Sequence, residues 1–207
     1  MSNKNLIITF TRNPELGKVK TRLAKTIGEA SALAIYIKLL EHTESVLRNI
    51  DSDKAVYYSV KIRENDLWDS NIYQKHQQFG DDLGIRMQNA FKAGFDAGYS
   101  KIAIVGSDLH DLQPKHITQA FDALDTNDVT IGPAEDGGYY LLGMKSLYKD
   151  VFENKNWGTE TVFDDTIKNL KNESVFLLEQ LNDVDTYEDI KNNHTLKALI
   201  EHDKTYK

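Results

Sequence analysis

The chain has 207 residues, 40% hydrophobic and 28% charged, with a net charge of −7 and no cysteine. That size suits one domain spanning 1–207, burying roughly 70% of the unfolded surface. The missing cysteines exclude a disulfide framework, thiolate catalysis and Cys-ligated zinc, and the acidity argues against general nucleic-acid binding.

Leu6–Phe10 reads as the first strand. It runs into "TRNPELGKVKTRLAK", where Arg12, Lys18, Lys20, Arg22 and Lys25 face a single anion, Glu15. The local charge of +4 leaves −11 for the rest of the chain, so the densest cationic patch of an acidic protein follows its first strand. Apolar positions at helical spacing over 29–49 predict a long helix, and Ala55–Val60 a second strand. A helix is expected over 82–97, a short buried strand at Lys101–Val105, and a helix opened by Pro114 and running to Leu124. Val129–Ile131 and Tyr139–Met144 read as strands flanking the turn at Gly137-Gly138. Residues 160–170 read as helix, Val175–Leu178 as strand and 186–201 as a closing helix. This alternation predicts a Rossmann-like α/β fold, a mostly parallel sheet flanked by helices. Residues 1–5 are polar and the apolar run after them has five residues, so no signal peptide is expected. Nothing approaches the ~18 apolar residues of a membrane span, and a cytoplasmic location is expected.

Ligands of such sheets sit outside the carboxyl ends of the strands, so the loops after the strands carry the chemistry. The cationic loop has neither P-loop spacing nor G-x-G-x-x-G. Gly17 followed by Lys18, Lys20 and Arg22 near a helix start suits a polyphosphate cradle, with a solvated basic turn as the plain alternative. After the third strand, "IVGSDLHDL" sets Asp108 opposite that loop, where a divalent ion bridging phosphates would sit. Asp111 is better placed to cap the helix at Pro114.

Six stretches in register carry a resemblance: "FTRNPELGKVKTRLA", "FGDDLGIRMQNAF", "VGSDLHDL", "GPAEDGGYYLLGM", "WGTETVFDDT" and "DVDTYEDI". The chain resembles the GT-A-like nucleotide-diphosphate-sugar transferase superfamily. Within it, the chain is most similar to bacterial glycosyltransferase-like proteins associated with radical-SAM and selenodomain proteins, and "VKTRLA" is similar to phospholactate guanylyltransferases. Gly17, Thr21, Arg22 and Leu23 match the nucleotidyltransferase signature G…[ST]-R-[LM]. His110, where relatives more often have proline, and the absent D-x-D form depart from the pattern.

The resemblance implies a metal-dependent transferase using Mg2+ or Mn2+, a nucleotide or nucleotide-sugar donor and a small-molecule acceptor. Lys20, Arg22 and Asp108 are then the catalytic candidates. Thr11, Arg12, Gly17, Lys18, Lys20, Arg22 and Arg86 are candidates for the nucleotide phosphates, although Arg86 also suits a pair with Asp82 on its own helix. The resemblance puts Asp183 and Asp185 beside Asp108 as metal ligands; from sequence alone Asp185 equally suits a helix cap. Glu135, Asp136, Gly137, Gly138, Trp157 and Thr159 form the acceptor side, with a plain turn and core packing of the tryptophan as alternatives. Glycosyl transfer is the preferred reading, nucleotidyl transfer releasing pyrophosphate the second, and nucleotide binding without turnover the third.

Overall fold

A computed structural model describes residues 4–204, with side chains up to residue 200. Seven strands form one sheet: β1 (Asn5–Thr11), β2 (Asp53–Tyr58), β3 (Tyr73–Gln77), β4 (Lys101–Val105), β5 (Val129–Pro133), β6 (Tyr139–Met144) and β7 (Val175–Leu177). Their order is β3-β2-β1-β4-β6-β5-β7. All pairs are parallel except those of β6, which runs antiparallel to β4 and β5. The helices are α1 (Thr21–Ile27), α2 (Glu29–Arg48), α3 (Leu83–Asp96), α4 (Pro114–Ala123), α5 (Val162–Asn169), α6 (Tyr187–Ile190) and α7 (His194–Lys204), with one 3-10 turn at Lys149–Phe152.

Both faces of the sheet are covered, which is why Leu6–Ile8 of β1 and Ile102–Val105 of β4 are consecutive apolar residues. Leu6 and Ile8 point to a core shared with Met87 and Phe91 of α3. Ile7 points to the opposite core, with Ile117 and Phe121 of α4. This is the expected Rossmann-like, GT-A-like α/β fold.

Three departures have local causes. The sequence predicts no strand at β3, whose YQKHQ is too polar to announce one; it is an edge strand paired only with β2, and of its side chains only Tyr73 is fully buried. The cationic loop contains α1, because Leu23 and Ile27 find a core with Ile35 and Leu39 of α2. Gly28, at φ +88°, then turns the chain from α1 into α2. The closing helix is split, since the Asn193 side chain accepts the Leu196 N–H at 3.0 Å and starts α7 afresh.

The chain passes from β1 to β2 on one side of the sheet and returns to β4 on the other, so the topology reverses between β1 and β4. A crevice at the carboxyl ends of those two strands is where such sheets bind ligands. Residues 178–184 then cross this edge. Leu178 and Leu181 donate to Ile131 and Pro133, and Val184 donates to the Asp108 carbonyl at 3.0 Å. Asp183 bridges Leu109.

Candidate functional site

The crossing segment explains the site's geometry. An extended backbone alternates its side chains, so buried Val184 anchors the segment while Asp183 and Asp185 emerge on the same side. Asp108 meets them from the end of β4, and one carboxylate oxygen from each of the three lies within 4.8 Å of the others. The three metal-ligand candidates are therefore brought together. The Asp183 carboxyl is pushed up to about 6, by burial first and then by the charges of Asp108, Asp136 and Asp185. Asp185 is not a cap: α6 is capped by Thr186, whose N–H and hydroxyl bond Asp189 at 2.6 and 2.9 Å. Asp111 is not a cap either, because Gln113 and His116 form the capping box of α4.

Lys20 departs from the expected exposed cradle. Its side chain is 5% exposed, with the ammonium 3.0 Å from Asp108 Oδ2 and 2.9 Å from Asp185 Oδ1. Burial works against its charge, but the two carboxylates outweigh burial and raise its pKa. Its backbone is left-handed, φ 46° and ψ 46°, a conformation that costs about 1–2 kcal/mol for a residue with a side chain. Arg22 is exposed and reaches Asp185 Oδ2 at 3.4 Å. Arg12 and Lys18 are exposed on the same loop.

Two residues that sequence reasoning passed over hold the loop in place. The buried Tyr36 hydroxyl lies 2.9 Å from the Arg12 N–H, 3.2 Å from Thr11 Oγ1 and 3.4 Å from Ser107 Oγ, tying the ends of β1 and β4 to α2. Buried Asn13 donates to the Lys61 carbonyl at 2.8 Å and accepts the Val60 N–H at 2.9 Å. A tyrosine among the apolar positions of α2 and an Asn before Pro14 are their only traces in the sequence.

The remaining candidates separate by environment. Arg86 does not pair with Asp82, which caps α3 through the Ile85 N–H at 2.8 Å; its Nε donates to the Gly80 carbonyl at 2.8 Å and holds the β3–α3 loop. Gly17 sits at φ +71° with the Glu29 carboxylate 3.0 Å from where a Cβ would stand. The Gly137 backbone makes its close approach to the protein itself: a Cβ there would lie 2.2 Å from the Glu160 carbonyl. That contact joins the 135–138 turn, with exposed Glu135 and Asp136, to the loop carrying Trp157 and Thr159. Gly138 donates to Asp136 Oδ1 at 2.8 Å. Trp157 is half-buried in the core against Gly84, and Thr159 bonds the Asn156 carbonyl, so neither presents itself as a stacking platform. A hollow of about 330 Å³ lies beside the crossing segment, lined by Lys115, His116, Glu135, Glu179 and Asn182 among others and by none of the three clustered aspartates.

A family model described as "Uncharacterized protein conserved in bacteria (DUF2064)" matches residues 42–159. A crystal structure from Desulfovibrio desulfuricans G20, provisionally named a nucleotide-diphospho-sugar transferase, is 31% identical, with a TM-score of 0.84 over 99% of this chain and 96% of that one. Remoter matches share the fold alone. 4-Diphosphocytidyl-2C-methyl-D-erythritol synthase from Anaerococcus prevotii DSM 20548 is 11% identical, with a TM-score of 0.60 over 96% of both chains. CMP:2-keto-3-deoxy-manno-octonic acid synthetase, solved with CTP, is 10% identical, with a TM-score of 0.53 over 94% of this chain and 98% of that one. No curated protein matches the chain. Among the described residues no helix is long and apolar enough to cross a membrane.

Proposed function

This chain belongs to the bacterial DUF2064 family, and from that premise we propose that it is a metal-dependent transferase drawing on a nucleotide-activated donor, with glycosyl transfer from a nucleotide sugar as the reaction. The observation that carries the reading is the convergence of Asp108, Asp183 and Asp185 beside a cationic loop at the β1/β4 crevice. Three carboxylates within 4.8 Å suit a hard divalent cation, Mg2+ or Mn2+, which takes oxygen ligands and shares them with substrate phosphates. Bound there, the ion would offset the charge of a departing diphosphate. The name given to the Desulfovibrio protein supports the same donor class. The narrower affiliation with radical-SAM and selenodomain-associated proteins rests on the six sequence stretches.

In this reading Arg12, Lys18 and Arg22 bind the diphosphate, while Tyr36 and Asn13 hold the loop that carries them. The bond between the sugar's anomeric carbon and the diphosphate oxygen breaks, and its electron pair leaves with the nucleoside diphosphate. The acceptor's hydroxyl oxygen bonds the anomeric carbon, and its proton passes to a carboxylate, to which we assign Asp136. The 330 Å³ hollow beside Glu135 takes a small-molecule acceptor.

Nucleotidyl transfer is the second reading, favoured by Arg22: its guanidinium, 66% exposed, has room for the longer phosphate chain of a nucleoside triphosphate. There an acceptor oxygen attacks the α-phosphorus and pyrophosphate leaves.

A thermal-shift screen of nucleoside di- and triphosphates and nucleotide sugars, with and without Mg2+ or Mn2+, tests the proposal. A ligand at 100 times its dissociation constant adds about 2.7 kcal/mol of stability. Stabilisation that needs the metal supports the reading, and its absence across the panel contradicts it. With acceptors added, release of nucleoside diphosphate supports glycosyl transfer and release of pyrophosphate nucleotidyl transfer.

A further inference from the structure

The Lys20 side chain is 5% exposed, with its ammonium bonded to the same carboxylates that would hold the cation, Asp108 at 3.0 Å and Asp185 at 2.9 Å. Its left-handed backbone aims it there, between buried Val19 and Leu23, which fix the loop on either side. A divalent ion sharing those carboxylates would sit beside a full positive charge whose own side chain is buried, and the two would repel each other more strongly than in bulk water. The two cations compete for one place.

One lysine is also a poor match for the cluster. Even with exposed Arg22 3.4 Å from Asp185, two positive charges face Asp108, Asp183 and Asp185, and among the described residues no ion pair reaches Asp183. A lysine has a flexible four-carbon stem, and the loop beyond it exposes Arg12, Lys18 and Arg22, the groups assigned to phosphates above.

We infer that Lys20 is the resident counter-ion of the cation site, excluding a divalent ion from the empty protein and yielding when a phosphate-bearing ligand draws its ammonium towards the cationic loop. The inference rests on the metal-dependent reading and deepens it. Metal and nucleotide then bind as a coupled pair, each raising the affinity of the other.

The test is Mn2+ alone, titrated by electron paramagnetic resonance against wild type, Lys20→Met and the double variant Lys20→Met/Asp108→Asn, with circular dichroism to establish folding. Should Lys20→Met not fold, Lys20→Gln, which keeps a hydrogen-bond donor, takes its place. Expected is a Mn2+ affinity at least tenfold tighter in the lysine variant than in wild type, lost again in the double variant. Equal one-to-one Mn2+ binding by wild type and the lysine variant would overturn the inference while leaving the metal-dependent reading intact. So would a tightening that survives Asp108→Asn. Absence of Mn2+ binding in every folded variant overturns both.

Discussion

Two lysines of this protein are equally buried and do opposite things. Lys75 on β3 has a side chain 6% exposed, and its ammonium meets Asp66 at 2.8 Å and the carbonyls of Arg63 and Glu64 at 2.8 and 3.0 Å. It has three donors, three acceptors and one charge against one. Asp66 is itself 12% exposed and takes the Tyr58 hydroxyl at 2.7 Å and the Trp68 N–H at 3.2 Å, so the whole arrangement closes on itself and clamps the β2–β3 connection. Lys20, 5% exposed, faces two carboxylates that are 36 and 37% exposed, with a third within 4.8 Å. A neutralised buried charge is architecture. A cluster left short of positive charge and open to solvent on its acidic side is the place where the proposed cation would bind.

The comparison breaks most visibly at Lys75. Lys75→Met leaves Asp66 buried and unpaired, a loss worth about 3–5 kcal/mol. At about 2–4 °C per kcal/mol for a chain of this size, the melting temperature should fall by roughly 10 °C in calorimetry, while nucleotide affinity at the folded temperature is unchanged. An affinity loss of tenfold or more would mean the clamp and the site are coupled.

Asp183 sharpens it in the opposite direction. Its folded pKa, about 6, lies above the ordinary 3.8 because burial and three neighbouring carboxylates disfavour its charge. Below about pH 4 the carboxyl is protonated folded or unfolded, and it costs nothing. Between 4 and 6 the folded state keeps a proton the unfolded state has lost, so stability falls as pH rises, and above 6 the penalty is complete. Asp183→Asn should therefore stabilise the protein by about 2 kcal/mol at pH 7.5, allowing for partial exposure, and by nothing at pH 4. Chemical denaturation at the two pH values measures this, and a destabilised variant at pH 7.5 would assign Asp183 to the architecture instead.

Arg22 gives the smallest effect on folding. Its contact with Asp185 is long and exposed, and such pairs contribute about 0–1 kcal/mol. Arg22→Ala should leave the melting temperature within about 2 °C and weaken binding of a nucleoside diphosphate several-fold in calorimetry. Unchanged affinity would make the exposed part of the loop a solvated turn.

Much of this was legible in the sequence, for identifiable reasons. Asp108 follows a short buried strand by three residues, and the apolar Ile102–Val105 fixes where the loop begins. Asp183 and Asp185 entered through the resemblance alone; that they stand two apart around a buried valine on an extended segment, and so share a side, is seen only in the fold. Lys20 was not legible as a buried residue. Nothing in "GKVKTR" separates it from Lys18, and its environment is made by Asp108 and by Asp185 at the end of the crossing segment, 165 positions away. The strand at Tyr73–Gln77 was hidden for a related reason: an edge strand whose central lysine finds its carboxylate in a loop carries no apolar period. The glycines of "EDGGYY" were legible as a turn, but not that Gly137 is pressed against Glu160 rather than open to a ligand.

The central claim, that Asp108 serves the ligand through a cation rather than the fold, is tested most directly by calorimetric titration of the nucleotide selected in the screen into wild type and Asp108→Asn, each with and without Mg2+. A bare carboxylate facing a diphosphate repels it, and a bridging cation reverses the sign. The account predicts that Mg2+ tightens wild-type binding at least tenfold, and that Asp108→Asn abolishes this tightening while keeping or improving the weak metal-free affinity. Full metal-dependent tightening in Asp108→Asn, or loss of both affinities together with the melting temperature, would contradict it.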